Sequence, residues 1–67
     1  MQGKRLIEVM TSAGHTPGSV AKAIGIDQST FYRKLTDGKP HFTIEEATKI
    51  KNFLAMDDET ACQIFLN

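Results

Sequence analysis

Five groups of apolar residues recur at helical spacing along the chain, and glycine, proline or helix-capping residues stand between them. No segment alternates apolar and polar residues over the length of a strand. The pattern therefore predicts an all-α fold of five short helices without a sheet. The first helix is expected from about Gln2 to Ser12, and the others are expected to begin near Thr16, Asp27, Thr43 and Asp57 or Asp58.

Capping residues support three of these boundaries. Thr16 is an N-cap residue, and Pro17 after it has no backbone N–H to satisfy in the first turn. Asp27 is a favourable N-cap for the third helix. Thr43 and Glu46 have the spacing of a capping box, in which each side chain accepts from the other residue's backbone N–H.

Each helix has one apolar face that is expected to contribute to the core of a single domain spanning residues 1–67. A domain this small buries a limited fraction of its surface, so its margin of stability is expected to be thin. Cys62 is expected to be a small buried residue. The inward positions are Leu6, Ile7 and Met10; Val20, Ala21 and Ile24; Phe31 and Leu35; Ile44, Ala47, Ile50, Phe53 and Leu54; and Ala61, Ile64 and Phe65.

Charge is distributed unevenly, although the formal net charge is zero. Residues 1–41 carry six lysines and arginines against three acids, a net charge of +3, whereas residues 42–67 carry two against five, a net charge of −3. A basic front half is suited to face phosphates while an acidic half points away. Ordinary scatter of surface charge is the alternative at this chain length.

Several classes of chemistry lack the residues they need. A single cysteine cannot form an internal disulfide, and the histidines lack ligand spacing, so no metal and no cofactor are expected. No nucleophile–base pair or carboxylate dyad is present, so we expect neither catalytic residues nor a small-molecule substrate. No apolar run spans a bilayer and no signal peptide is recognisable, which favours a cytoplasmic protein without a membrane partner.

Residues 16–36 contain the most informative pattern, two short helices joined by a tight turn. Ala21 is small enough for the helices to approach closely, and Gly25 can adopt a positive φ at the turn. Ile26 fills the space under the turn and pairs with Phe31, which packs back on the second helix. In register, these residues resemble the Cro and repressor-like helix-turn-helix family of phage and bacterial transcription regulators. Residues 36–54 resemble the loop and closing helix that follow the motif in that family.

Two positions depart from the family pattern. Lys34 stands where the family usually has an apolar residue, so Leu35 is expected to take the apolar role and the third helix to be slightly rotated. Pro17 and Gly18 stand where the family often has a glutamine that contacts phosphate. That contact would then pass to Thr16, Ser19 or backbone N–H groups.

The resemblance implies a lambda-repressor-like domain that binds double-stranded DNA sequence-specifically, with the recognition helix, about residues 28–36, in the major groove. Glutamine and arginine are the side chains that pair bidentately with adenine and guanine, respectively. The expected base-reading residues are Gln28, Ser29, Tyr32 and Arg33. The expected phosphate contacts are Thr16, Ser19, Lys22, Lys34, Thr36 and Lys39.

A homodimer on a two-fold symmetric operator is expected, with half-sites about 34 Å apart. Ile64, Phe65 and Leu66 are consecutive, so one helix cannot bury all three, and they are the candidate dimer contact; packing only in the core is the alternative. A Cro-like phage or prophage repressor is the favoured function. The alternative function is a protein-interaction module, an antirepressor or antitoxin, that uses the same fold without reading DNA.

Overall fold

The computed structural model describes residues 2–37 and 41–66, and within them it contains five α-helices and no strand. This confirms the all-helical prediction. None of the helices in these two segments is long and apolar enough to cross a bilayer. The helices are α1 (Gly3–Ser12), α2 (Pro17–Ile24), α3 (Gln28–Thr36), α4 (Ile44–Phe53) and α5 (Asp58–Phe65).

Side-chain caps fix the starts of the four later helices, of which the sequence predicted the three caps Thr16, Asp27 and Thr43 and left the fifth start at Asp57 or Asp58. The Thr16 and Thr43 hydroxyls accept from the backbone N–H groups of Ser19 and Glu46, and each partner completes a capping box. The Asp27 carboxylate accepts from Ser29 N at 2.9 Å. The Asp57 carboxylate does the same for α5, accepting from Thr60 N. The first helix lacks a side-chain cap, and instead Gln2 N donates to Ile64 O at 2.8 Å, which joins the start of the chain to α5.

One hydrophobic core lies between all five helices. α1 packs against α2, α3 and α5, while α4 packs against α2 and α5 and α2 packs against α3. The recognition-helix candidate α3 is therefore held by α1 and α2 on its inner side. The buried apolar residues are Leu6, Met10, Val20, Ala21, Ile24, Phe31, Leu35, Ile50, Leu54, Met56 and Ile64.

Three expectations about the core are corrected. Ile44 is 87% exposed, and Phe53 is 40% exposed and stacks on His15 with ring centroids 4.5 Å apart. With about 100° per residue, Ile50 and Leu54 define the inward side of α4, and Ile44 and Phe53 lie well to either side of it. Cys62 is exposed rather than buried, because a residue two positions before buried Ile64 faces almost the opposite way.

Left-handed backbone follows three of the helices, and after α1 it is supplied by Gly14 with φ 81°. Gly25 closes α2 with φ 81°, as the sequence predicted. Ala55, after α4, has φ 54° without being glycine. The N–H groups of Ala55 and Met56 donate to the carbonyls of Asn52 and Lys51, so the turn satisfies the last carbonyls of α4 at a cost in backbone strain.

Candidate nucleic-acid interface

The connection between α2 and α3 sets the position of α3. It consists of residues 25–27, in which Gly25 reverses the chain and Ile26 N donates to Ala21 O at 3.0 Å. Ala21 is 1% exposed, so no bulky side chain separates the two helices. Phe31 and Leu35 then place the inner side of α3 in the core, at 0% and 6% exposure. The orientation of α3 is thus determined by buried apolar contacts.

The four residues expected to read bases all lie at the surface. Ser29 and Arg33 are on the side of α3 opposite Phe31, and both are exposed. Tyr32 flanks them at 50% exposure, and Gln28 is exposed at the first position of the helix. Within residues 2–37 and 41–66, the Arg33 guanidinium has no ion-pair partner. These side chains are therefore free to contact a ligand.

The two hydroxyl residues at the start of α2 differ in what they can still donate. Ser19 Oγ donates to Thr16 O at 2.9 Å and lies 3.4 Å from His15 Nδ1, so its proton has acceptors within the protein. Thr16 is exposed, and its hydroxyl oxygen accepts from Ser19 N at 3.1 Å. The Thr16 hydroxyl proton is left for an external acceptor, which makes Thr16 the better phosphate contact.

The other expected phosphate contacts occupy different environments. Lys22 is exposed on α2. Thr36 is exposed at the end of α3, but its hydroxyl donates to Tyr32 O at 3.0 Å. Lys39 lies outside the described residues.

Lys34 was expected to contact phosphate, but in this structure its ammonium is buried and ion-paired and is not available to an external anion. Its side chain is only 8% exposed, and Nζ lies 2.7 Å from Glu46 Oε1. The ring of Phe42 lies 5.5 Å from the ammonium. The sequence contained a signal for this burial, because the resemblance places Lys34 at a position that is usually apolar. The expected rotation of α3 is unnecessary, since Lys34, Phe31 and Leu35 are all buried on one side of the helix.

Glu46 joins the two ends of the segment between α3 and α4. Its Oε1 accepts from Lys34 Nζ and from Thr43 N at 2.9 Å. Burial by itself would raise the pKa of Glu46, but the hydrogen bonds from Lys34 and Thr43 and the charge of Lys34 hold it below the ordinary value of 4.5. The carboxylate thus stays charged and ties the end of α3 to the start of α4. The spacing of Thr43 and Glu46 in the sequence predicted only the capping box.

Neutralisation of Lys34 changes the electrostatics of the α3 surface. On α2, on α3 and on the two cap residues of α3, the exposed charged residues are the cations Lys22 and Arg33 and the acids Asp27 and Asp37. Asp27 is directed towards the first-turn N–H groups of α3, which it caps. The surface is therefore nearly balanced in charge, and less basic than the distribution of charge along the sequence indicated.

The three consecutive apolar residues near the end of the chain have separate roles. Ile64 is fully buried in the core, so it does not form a surface contact, whereas Phe65 is partly buried and Leu66 is 79% exposed. Leu66 and Ile44 border a shallow, mostly apolar groove between α4 and α5 with a volume of about 190 Å³. The exposed thiol-bearing residue Cys62 also lines it.

Comparison of the chain with protein-family models, with curated proteins and with solved structures finds no match. Among the described residues, no group of histidine, cysteine and acidic side chains is placed to hold a metal ion. The functional interpretation therefore depends on the geometry of α2 and α3 and on the residues that α3 exposes.

Proposed function

We propose that this protein is a sequence-specific double-stranded DNA-binding regulator of transcription that places α3 in the major groove. The observation that carries the proposal is the two-sidedness of α3. Phe31 and Leu35 fix its inner side in the core, while Ser29 and Arg33 point outward without partners in the described structure. An α-helix with its side chains is about 10–12 Å across, so α3 fits a major groove that is about 12 Å wide.

The exposed side chains are chemically suited to base edges. Arg33 has the planar donor pair that matches O6 and N7 of guanine, and the Gln28 amide matches N6 and N7 of adenine. Ser29 can donate to or accept from several base edges. Tyr32 adds an aromatic surface for a thymine methyl and a hydroxyl that can donate to phosphate.

Phosphate contacts would fix the register of α3 in the groove. Thr16 at the N-cap of α2 and Lys22 on α2 are exposed and take this role in the proposal, together with Lys39. Thr36 is exposed too, but its hydroxyl can contact phosphate only by giving up its bond to Tyr32 O. Lys34 is excluded because its ammonium is held by Glu46. With few cations available, non-specific attraction to DNA is weak, and base contacts must supply a large share of the affinity.

The proposed regulator acts as a homodimer joined through the groove between α4 and α5. Leu66 and Ile44 supply exposed apolar surface there. In a two-fold dimer the same surface of each protomer faces its copy, so it must carry both signs of charge. Lys51 and Asp58, paired at 3.0 Å, supply them. The molecule measures 27 × 23 × 20 Å, so two adjacent copies have the dimensions needed to reach half-sites about 34 Å apart. In the proposal, the bound dimer represses transcription by excluding polymerase from a promoter.

Selection of bound sequences from a random duplex library, followed by affinity measurements on the enriched site, tests this function. Arg33→Ala is expected to lower affinity for that site by about tenfold or more and to leave affinity for random duplex nearly unchanged. Arg5→Ala is the matched control, since Arg5 is an exposed arginine on α1. Equal effects of the two substitutions on specific and random DNA, or no enriched sequence, would refute the proposal.

A protein-interaction module is the second candidate function. The balanced charge around α3 and the exposed apolar side chains of Ile44 and Leu66 favour it. Under this function, Leu66→Lys abolishes binding of a partner protein and Arg33→Ala leaves all binding unchanged. Under the proposed regulator, Leu66→Lys converts a dimer to a monomer in analytical ultracentrifugation and weakens operator binding.

A further inference from the structure

Gly18 occupies a position where nothing in the backbone requires glycine. It is the second residue of α2, and its φ is not among the positive values found at Gly14 and Gly25. Alanine is more favourable than glycine in a helix, so glycine at this position brings no gain in helix stability. The space left by the missing side chain is therefore the feature to explain.

The Gln28 side chain borders that space. A Cβ placed on Gly18 would lie 3.3 Å from both Cδ and Nε2 of Gln28 and 3.4 Å from its Oε1. All three distances are at or below the tight end of ordinary packing, so the Gln28 amide lies directly beside the point where a Cβ of residue 18 would stand, and a Cβ there would require it to shift by a few tenths of an ångström. This contact joins the first turn of α2 to the first residue of α3.

This contact positions the Gln28 amide by packing and leaves its hydrogen-bonding groups unused. Within residues 2–37 and 41–66, the Gln28 amide has no hydrogen-bond partner. The neighbouring carboxylate of Asp27 is engaged with the backbone N–H groups of Ser29 and Thr30. The donor and the acceptor of the Gln28 amide are therefore both available, in an orientation that the surface of Gly18 restricts.

We propose that Gly18 is a specificity-determining residue that acts by positioning Gln28 for base readout, which rests on the proposed DNA-binding function. A bidentate contact discriminates bases only while donor and acceptor keep their geometry relative to the base edge. A methyl group at position 18 shifts the flexible Gln28 amide by a few tenths of an ångström and leaves the backbone of α2 in place. The base preference of Gln28 then changes, although residue 18 itself contacts no base.

The test compares base preferences of the wild type, Gly18→Ala, Gln28→Ala and the double variant by selection from a random duplex library. Gln28→Ala is expected to reduce preference by about fivefold or more at one base pair of each half-site. Gly18→Ala is expected to change preference at that same base pair. In the Gln28→Ala background it has no further effect, because the amide that it displaces is gone. Lys22→Ala, also on α2, is the control and weakens binding to all sequences alike.

Two measurements separate positioning from a general effect on folding. Gly18→Ala is expected to melt at or slightly above the wild-type temperature in circular dichroism, because alanine favours the helix. In the free wild-type protein, NMR is expected to show a nuclear Overhauser contact between the Gln28 amide protons and the Gly18 Hα protons. Absence of this contact overturns the inference even without DNA.

The outcomes also distinguish this inference from the proposed function. If the wild type enriches a sequence and Gly18→Ala keeps the same preferences, DNA binding stands and the role of Gly18 is refuted. A change at base pairs that Gln28→Ala does not affect refutes it too. If the wild type enriches no sequence, the DNA-binding proposal fails, and the role of Gly18 fails with it.

Discussion

The ion pair between Lys34 and Glu46 gives a quantitative test of how α3 is held. The two side chains are 8% and 17% exposed, and their charged atoms are 2.7 Å apart. We consider Lys34→Met, which keeps an apolar stem and removes the ammonium, and Glu46→Gln, which removes the charge and keeps an acceptor for Thr43 N. The double variant removes both charges.

The expected magnitudes follow from burial and distance. At an effective dielectric constant of about 20, two charges 2.7 Å apart attract by about 6 kcal/mol, and desolvation of both groups offsets most of this. Glu46→Gln leaves the more buried partner, the Lys34 ammonium, without a counter-ion and is expected to cost about 2–3 kcal/mol. Lys34→Met leaves a carboxylate that water reaches more easily, at about 1–2 kcal/mol. The double variant is expected to be more stable than Glu46→Gln alone.

Urea unfolding followed by far-ultraviolet circular dichroism measures all four proteins. A domain of this size has a total stability of only about 3–10 kcal/mol, so these changes shift the midpoint clearly. The exposed pair of Lys49 and Glu45, 3.4 Å apart on α4, is the control and is expected to couple by only about 0.5 kcal/mol or less. Additive effects of Lys34→Met and Glu46→Gln, within about 0.5 kcal/mol, would refute the reasoning.

The same carboxylate predicts a pH dependence. Burial opposes ionisation of Glu46, but hydrogen bonds from Lys34 and Thr43 prevail, so its folded pKa lies below its ordinary value of 4.5. A lowered folded pKa gives stability that is fully present above the unfolded pKa and is lost as pH falls through the folded pKa. Unfolding free energy should thus fall below about pH 4.5, and less steeply in Glu46→Gln. Hydrogen bonds with Thr60 also lower the pKa of the Asp57 carboxyl. The Glu46→Gln variant is therefore still expected to lose some unfolding free energy in acid.

Three further predictions concern the backbone and the DNA interface. Ala55→Gly is expected to stabilise the protein by about 0.5–1 kcal/mol in urea unfolding, because φ is 54° there; a destabilised variant would contradict this. Gly3→Ala is expected to cost about 1–3 kcal/mol, since its Cβ would overlap the backbone carbonyl of Leu35, and unchanged stability would show that α1 can move. With Lys22, Arg33 and Lys39 as the cations assigned to the DNA interface, log affinity for DNA should fall against log salt with a slope of about −3 per protomer; a slope beyond about −5 would contradict this assignment, because it requires further cations at the interface.

The helix boundaries could be predicted because the interactions that set them are local. Thr16, Asp27, Thr43 and Asp57 accept from N–H groups two or three residues later, so the short-range sequence contains both partners. Gly25 was predictable for the same reason, since its positive φ is a property of one residue. The exposed positions on α3 followed once Phe31 and Leu35 were assigned to the core.

Errors occurred where a residue's environment depends on a distant segment. The apolar residues of α4 were assigned to one face, yet contact with α2 and α5 selects Ile50 and Leu54 and leaves Ile44 in solvent. Lys34 was expected to contact phosphate because its actual partner, Glu46, lies twelve residues away on another helix, and nothing in the local sequence indicates that pairing. The contact of Gln28 with Gly18 likewise joins two helices and has no counterpart in the spacing of either.

The sequence by itself determined the number of helices, their starts and the outward position of Ser29 and Arg33, because capping and helical periodicity act within a few residues. Tertiary structure decided which charges are available. It buried Lys34 against Glu46 and so left the α3 surface nearly neutral. It also decided how Gln28 is oriented, since packing between helices sets the distances between residues far apart in the chain.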